Sequence, residues 1–161
     1  MVLISHRGNI NGPNPEFENS PEYINAAITC GYNVEIDLWG IKCDNNKIIL
    51  SLGHDDPNYN INIQWLYERS RKLFIHAKNF LAVSFLMANK QKDFLGLRFF
   101  FHEKERYSLI ANTSLVWCHD MSEVNNFSIV PLISRQDISL WENKPVFGIC
   151  SDYVEKLKDL K

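Results

Sequence analysis

No stretch of this 161-residue chain approaches the roughly 20 consecutive apolar residues that a membrane-spanning helix needs. The first apolar run is interrupted almost at once by Ser5-His6-Arg7, so neither a basic leader nor a signal-peptide core is visible and a cytoplasmic location is expected. Charge of one sign is also lacking. The 17 Lys and Arg residues against 19 Asp and Glu leave a net charge of -2 and a pI near 6.2, with no basic field for nucleic acid and no like-charged tail. The four cysteines, Cys30, Cys43, Cys118 and Cys150, are widely spaced and form no CxxC pair, which favours buried reduced thiols over a disulfide framework or a zinc knot. Repeats and low-complexity tracts are absent. What remains, 45% hydrophobic and 22% charged, is ordinary globular composition. The length fits one domain over residues 1–161 but is short for a complete barrel, which takes at least roughly 200 residues.

The most informative feature present is the placement of histidine. All five follow an apolar, strand-like run: Val2–Ser5 before His6, Ile48–Gly53 before His54, Leu73–Ile75 before His76, Arg98–Phe101 before His102 and Leu115–Cys118 before His119. In a parallel α/β sheet or barrel the carboxyl ends of the strands form one rim, and that rim carries the active site.

Strand-like runs alternate with helical ones. Strands are expected near 2–6, 34–38, 48–52, 72–75, 97–101, 115–118, 128–133 and 146–150, and helices near 20–30, 62–69, 80–90 and 154–160. Ser20 can cap the first helix, Pro21 suits its first position and Gly31 ends it, with Tyr23, Ile24, Ala27 and Ile28 as the apolar face. Leu81, Phe85 and Leu86 would share a face of the third. Asp44-Asn45-Asn46 reads as a hairpin turn whose return arm is 48–52. This cadence favours parallel βαβ units. The expected fold is a small or incomplete TIM-type (β/α) barrel of about seven barrel strands, with a hairpin inserted after the second strand and reduced helices in the second half.

Glu35-Ile36-Asp37 is the sharpest chemical signal. Side chains alternate along a strand, so both carboxylates point to one face. Two carboxylates on a buried strand are costly unless a cation neutralises them, and a hard divalent metal does so. Exposure of the strand is the competing reading, weakened by Val34, Leu38 and Trp39 around the pair. His6-Arg7-Gly8 offers an imidazole, a planar donor suited to phosphate and a residue that permits a tight turn. Gly53-His54-Asp55 offers a second imidazole with a carboxylate to orient one. Two histidines about a scissile phosphate can serve as general base and general acid.

In this order, His6-Arg7-Gly8, Glu18-Asn19-Ser20, Glu35-x-Asp37 and Gly53-His54-Asp55, the chain resembles the glycerophosphodiester phosphodiesterase family of the phospholipase-C-like barrel phosphodiesterases. The family's strand-borne Glu-x-Lys aligns with His76-Ala77-Lys78, and Gly148–Tyr153 is similar to its final strand and Asp-bearing loop. The resemblance is dense over residues 1–80, thin over 100–140, and returns at 146–153. It implies a phosphoric diester hydrolase of glycerol or lipid metabolism. His6 and His54 would be the acid/base pair and Arg7 and Lys78 phosphate ligands. Glu35, Asp37 and the residue at position 76 would hold one divalent ion, Mg, Ca or Mn. Attack by a neighbouring substrate hydroxyl would give a cyclic phosphate that water opens.

Two departures accompany it. His76 stands where the family has a carboxylate, which removes a negative charge and shifts preference toward Mn or Zn; Glu103 or Glu105 is the alternative third ligand. The later half is short, so either part of the substrate wall is missing or a second copy completes it as a homo-oligomer. Trp117 is a candidate substrate contact against the plainer reading of a core residue. His102 and His119 are candidate lining residues, Trp39 walls the site or packs, Trp65 and Trp141 read as packing residues, and Lys104-Glu105-Arg106 as a solvated loop. The expected partner is a small phosphodiester. A phosphate- and metal-binding module without turnover, and a phosphorus–oxygen lyase stopping at the cyclic product, are the alternatives.

Overall fold

The computed structural model describes residues 1–44, 46–89, 96–142 and 144–160, with no side-chain account of 159 and 160. It is a mixed α/β structure built on one ten-stranded sheet. The first strands and helices are β1 (Val2–His6), α1 (Pro21–Thr29), β2 (Asn33–Lys42), β3 (Ile48–Leu52), β4 (Tyr59–Ile61), α2 (Ile63–Glu68), β5 (Leu73–Ala77) and α3 (Phe80–Ala88). They are followed by β6 (Phe99–Phe100), β7 (Tyr107–Leu109), β8 (Val116–Cys118), β9 (Ser128–Pro131), α4 (Arg135–Ser139) and β10 (Gly148–Ser151). Short 3₁₀ turns lie at Met121–Glu123 and Lys156–Leu160.

Seven strands run parallel in the order β6-β5-β2-β1-β10-β9-β8. Three more are antiparallel additions: β3 on the upper half of β2, β4 on β3, and β7 on β8. The ladder is interrupted once around this series. Among the described residues no pairing joins β6 to β8. The Phe99 carbonyl accepts instead from the Ala111 amide at 2.8 Å, and Phe100 stacks on Trp117 with centroids 4.4 Å apart. The expectation of a barrel is therefore met only as a mixed α/β sheet that does not close.

Alternation of side chains explains where the histidines go. The strand pairings put Ile4, Glu35, Phe74, Phe100, Trp117, Ile129 and Cys150 on one face. Apart from Glu35 they form one buried apolar cluster. Two residues onward on the same face come His6, Asp37, His76, His102, His119, Pro131 and Asp152. The inner face thus has an apolar layer below and a polar layer at the carboxyl ends. The outer face is covered by α1, α2 and α3, whose Ile24, Ala27, Leu66 and Leu86 bury against Val34, Ile36, Leu38, Leu73 and Ile75. Gly40 allows this packing, since a Cβ there would lie 2.7 Å from the Ala82 nitrogen.

Local signals hold where they are strong. Ser20 caps α1 through the Tyr23 amide, Asn62 and Asn79 cap α2 and α3, and Gly31 ends α1 at φ +94°. Differences arise where tertiary pairing decides. β2 runs to Lys42 because its upper half gains β3 as a partner. The strand expected over 97–101 is reduced to Phe99–Phe100, and β4, β7 and α4 were not expected. The closing helix at 154–160 is a 3₁₀ turn over Lys156–Leu160. Asn45 of the hairpin turn and Lys90 of the third helix fall outside the described residues. Cys118 and Cys150 are buried thiols, but Cys30 is exposed, which corrects the expectation of four buried ones. Among the described residues no helix is long and apolar enough to cross a membrane.

Candidate active site

A cleft of about 710 Å³ opens over the carboxyl ends of the parallel strands. His6, Arg7, Glu18, Glu35, Asp37, His54, His76 and Asp152 line it, with Phe100, His102, Trp117 and His119 along one wall. Four of the histidines arrive as the strand-end argument requires. His54 does not, because β3 runs antiparallel to β2. It reaches the rim because β2 overshoots and β3 returns, pairing Leu52 with Leu38. Gly53 then turns the chain at φ +150°, where a Cβ would collide with the Asp56 carbonyl oxygen.

Asp37 is the centre of the charge network. It is 1% exposed. Its Oδ2 lies 2.9 Å from Arg7 Nε and 3.4 Å from His54 Nδ1, and accepts from Asn19 Nδ2 at 3.0 Å. Its Oδ1 accepts from His76 Nδ1 at 3.0 Å and lies 3.4 Å from Lys78 Nζ. Burial alone would raise this carboxyl, but the hydrogen bond of His76 and the charges of Arg7 and Lys78 hold it well below the usual range. Glu35 is the opposite case. It is 2% exposed, its Oε2 has no hydrogen-bond partner, and His6 Nε2 is 3.9 Å away. Burial, reinforced by the charge of Asp37, raises its carboxyl.

Arg7 is spread over three partners. Besides Asp37, it donates to Glu18 Oε2 at 3.1 Å and to His54 Nδ1 at 2.7 Å. A guanidinium cannot accept, so His54 Nδ1 is the acceptor and its proton sits on Nε2. Arg7 and Asn19 both adopt left-handed backbone conformations, φ 55° and 64°, and the Asn19 amide donates to the Arg7 carbonyl at 3.0 Å. Such strain persists only where the surroundings over-determine it.

His6 donates from Nδ1 to Asp152 Oδ1 at 2.7 Å, and Asn9 donates to the same oxygen at 2.8 Å and to Glu18 Oε1 at 2.8 Å. Burial pulls the His6 imidazole down, yet the Asp152 hydrogen bond and the Glu35 charge outweigh it, and the net shift is upward. Burial lowers His102 to about 4, helped by His76 and His119, and it lowers His119 as well.

The structure brings His6, Arg7, Glu35, Asp37, His54, His76 and Lys78 together about one cleft. Ligand atoms of Glu35, Asp37 and His76 lie within 4.8 Å of one another. This donor set fits a divalent cation on two grounds. The two carboxylates share one face, and the buried Glu35 oxygen lacks a donor. Glu103 and Glu105 do not take the third place, since the Glu105 carboxylate is turned back to accept the Glu103 and Lys104 amides in an exposed loop. Trp117 lines the cleft but is 3% exposed and packs on Phe100, with its indole N–H unpartnered, so it is first of all a core residue. Trp39 packs and donates to the Gly53 carbonyl, fixing the turn that presents His54.

Sequence reasoning missed Asn9 and marked Glu18 and Asp152 only through the resemblance, without a role for either. Asp152 follows the last inward position of β10 by alternation, and the register of β10 beside β1 is what sets it against His6. No protein-family model matches the chain, and no curated protein or solved structure does either.

Proposed function

We infer that this chain is a metal-assisted phosphodiester hydrolase acting on a glycerophosphodiester or a related alcohol phosphodiester. The sheet is read as a (β/α) barrel opened between β6 and β8. The observation that carries the reading is the convergence of two histidines, two cationic side chains and a Glu–Asp–His trio about one cleft.

Glu35, Asp37 and His76 would hold the cation, which when bound supplies Lewis acidity toward the phosphoryl oxygens. Arg7 and Lys78 provide donors for the same oxygens. Both now contact His54 Nδ1, at 2.7 and 3.3 Å. A phosphate that takes those donors frees the Nδ1 lone pair. His54 can then remove the proton of a neighbouring substrate hydroxyl as it bonds to phosphorus. His6, held by Asp152 with Nε2 toward the cleft and its imidazolium favoured, gives a proton to the departing alkoxide. The cyclic phosphate is opened in reverse: His6 takes a proton from water and His54 returns one to the ring oxygen.

The test is hydrolysis of glycerophosphocholine and of bis(p-nitrophenyl) phosphate with Mg²⁺, Ca²⁺, Mn²⁺ and Zn²⁺. Metal-dependent turnover is expected, reduced about 10²–10⁴-fold in His6→Ala and in His54→Ala. Absence of metal-dependent turnover on either substrate overturns the reading. Product analysis then separates a hydrolase from a lyase that stops at the cyclic phosphate.

A further inference from the structure

The charged cluster uses His6, His54 and His76, and two rim histidines remain. His102 follows β6 and His119 follows β8, the two strands between which the ladder is interrupted. Their Nε2 atoms face each other across that seam at 3.3 Å, with ring centroids 4.5 Å apart and planes inclined by 64°. Two imidazole nitrogens on one tetrahedral zinc, each at about 2.0–2.1 Å, lie roughly 3.3 Å apart. A direct N–H···N bond would more commonly hold them near 3.0 Å.

Both rings are positioned by other groups. His102 stacks on His76, with centroids 4.3 Å apart and planes within 2°. The His119 amide donates to the Arg106 carbonyl at 2.8 Å. The pair is also a shared wall. On one side is the main cleft, and on the other a second cavity of about 500 Å³ lined by Glu103, Lys104, Glu105, Arg106, Asp120 and Met121.

We propose that His102 and His119 form a second metal site, in which their Nε2 atoms bind one borderline divalent ion, zinc in the first instance, and bridge the open seam of the sheet. The donor set decides the class of ion. Two imidazoles without a carboxylate between them suit zinc, nickel or copper and give nothing to magnesium or calcium, unlike the oxygen-rich trio around Glu35. The coordination positions left over open to either cavity, where water or an anionic group can fill them. Bridging two strands that share no ladder, the ion would act as a clasp. This site stands apart from the hydrolase reading and needs no turnover to be observed.

Zinc binding is measured by calorimetry on Glu35→Gln, which disables the trio, and on Glu35→Gln combined with His119→Gln or with His102→Gln. His119 is exposed, so its replacement should leave the fold intact, which a melt without metal checks. The expected result is about one zinc bound by Glu35→Gln and none at this site in either double variant, with a melting temperature that rises with zinc only in the former. Cobalt in place of zinc should give a visible d–d spectrum that the double variants lack. Equal zinc binding by all three proteins, or no zinc binding by Glu35→Gln, overturns the proposal. Equally tight magnesium binding at this site overturns its assigned chemistry. Failure of the phosphodiesterase assay leaves these readouts untouched.

Discussion

The two ends of the cleft are built on different principles. At β1, β2 and β5 the strands are fully laddered, β2 and β5 are backed by α1 to α3, and the strand ends carry interlocked charges on Glu35, Asp37, Arg7 and Lys78. At β6 and β8 the ladder is interrupted, Phe99 of β6 packs on α3 while β8 is backed by short turns, and the wall is a stack of aromatic rings and imidazoles. Charged groups need positions held to a fraction of an ångström to offset their desolvation, and laddered, helix-backed strands supply that rigidity. Stacked neutral rings are less demanding of geometry, so they can line a seam where backbone pairing is missing.

The largest test of this contrast is Asp37→Asn. It leaves Arg7, Lys78 and His76 facing a neutral amide and should cost about 3–5 kcal/mol in urea unfolding. A loss below about 1 kcal/mol would mean that the cluster is not interlocked. Gly40→Ala probes the backing of the same region. Its methyl meets the α3 backbone, so a loss of about 1–3 kcal/mol is expected by thermal melting.

Acid should separate the two regions. His102 titrates at about 4 in the folded protein against 6.5 for the ordinary residue, so the unfolded chain binds a proton between those values that the folded chain refuses. Stability contributed at the seam therefore falls as pH is lowered from 6.5 toward 4. Asp37 has a dependence of the same sign in a lower pH window, and His6 has the opposite one. Its folded value lies well below 3.8, so its contribution is complete above 3.8 and is lost only as pH falls through the folded value. The raised His6 contributes fully below 6.5 and loses that contribution as pH rises through its folded value. Urea midpoints between pH 6.5 and 4.5 should thus drop in the wild type and drop less in His102→Gln. The smallest effect belongs to Leu109→Ser on edge strand β7, where the side chain is 81% exposed and the change should stay within about 0.5 kcal/mol by melting.

Much of the charged region was legible beforehand because its signals are local. Glu35-Ile36-Asp37 needs only strand alternation to place both acids on one face. Ser20-Pro21 and Gly31 need only capping chemistry to bound α1. The seam was not legible. Whether β6 pairs with β8 depends on the length and twist of strands far apart in the chain, and the run at 97–101 reads like any other strand. Trp117 shows the same limit, since an apolar run with an indole does not tell which face of which strand it will occupy. Asp152 stood in a marked motif, but its pairing with His6 became readable only through the register of β10 beside β1.

The sequence by itself determined the strand–helix cadence, the placement of histidine after apolar runs and the pairing of carboxylates on one strand, because each follows from periodicity within a few residues. Tertiary structure alone decided that β2 would overshoot to Lys42 so that the hairpin's return ends with His54 at the rim, that Arg7 would be shared among Asp37, Glu18 and His54, and that His102 would face His119 across an unpaired seam. Those outcomes depend on strand order and register, which are set by the burial of whole faces rather than by any local run of residues.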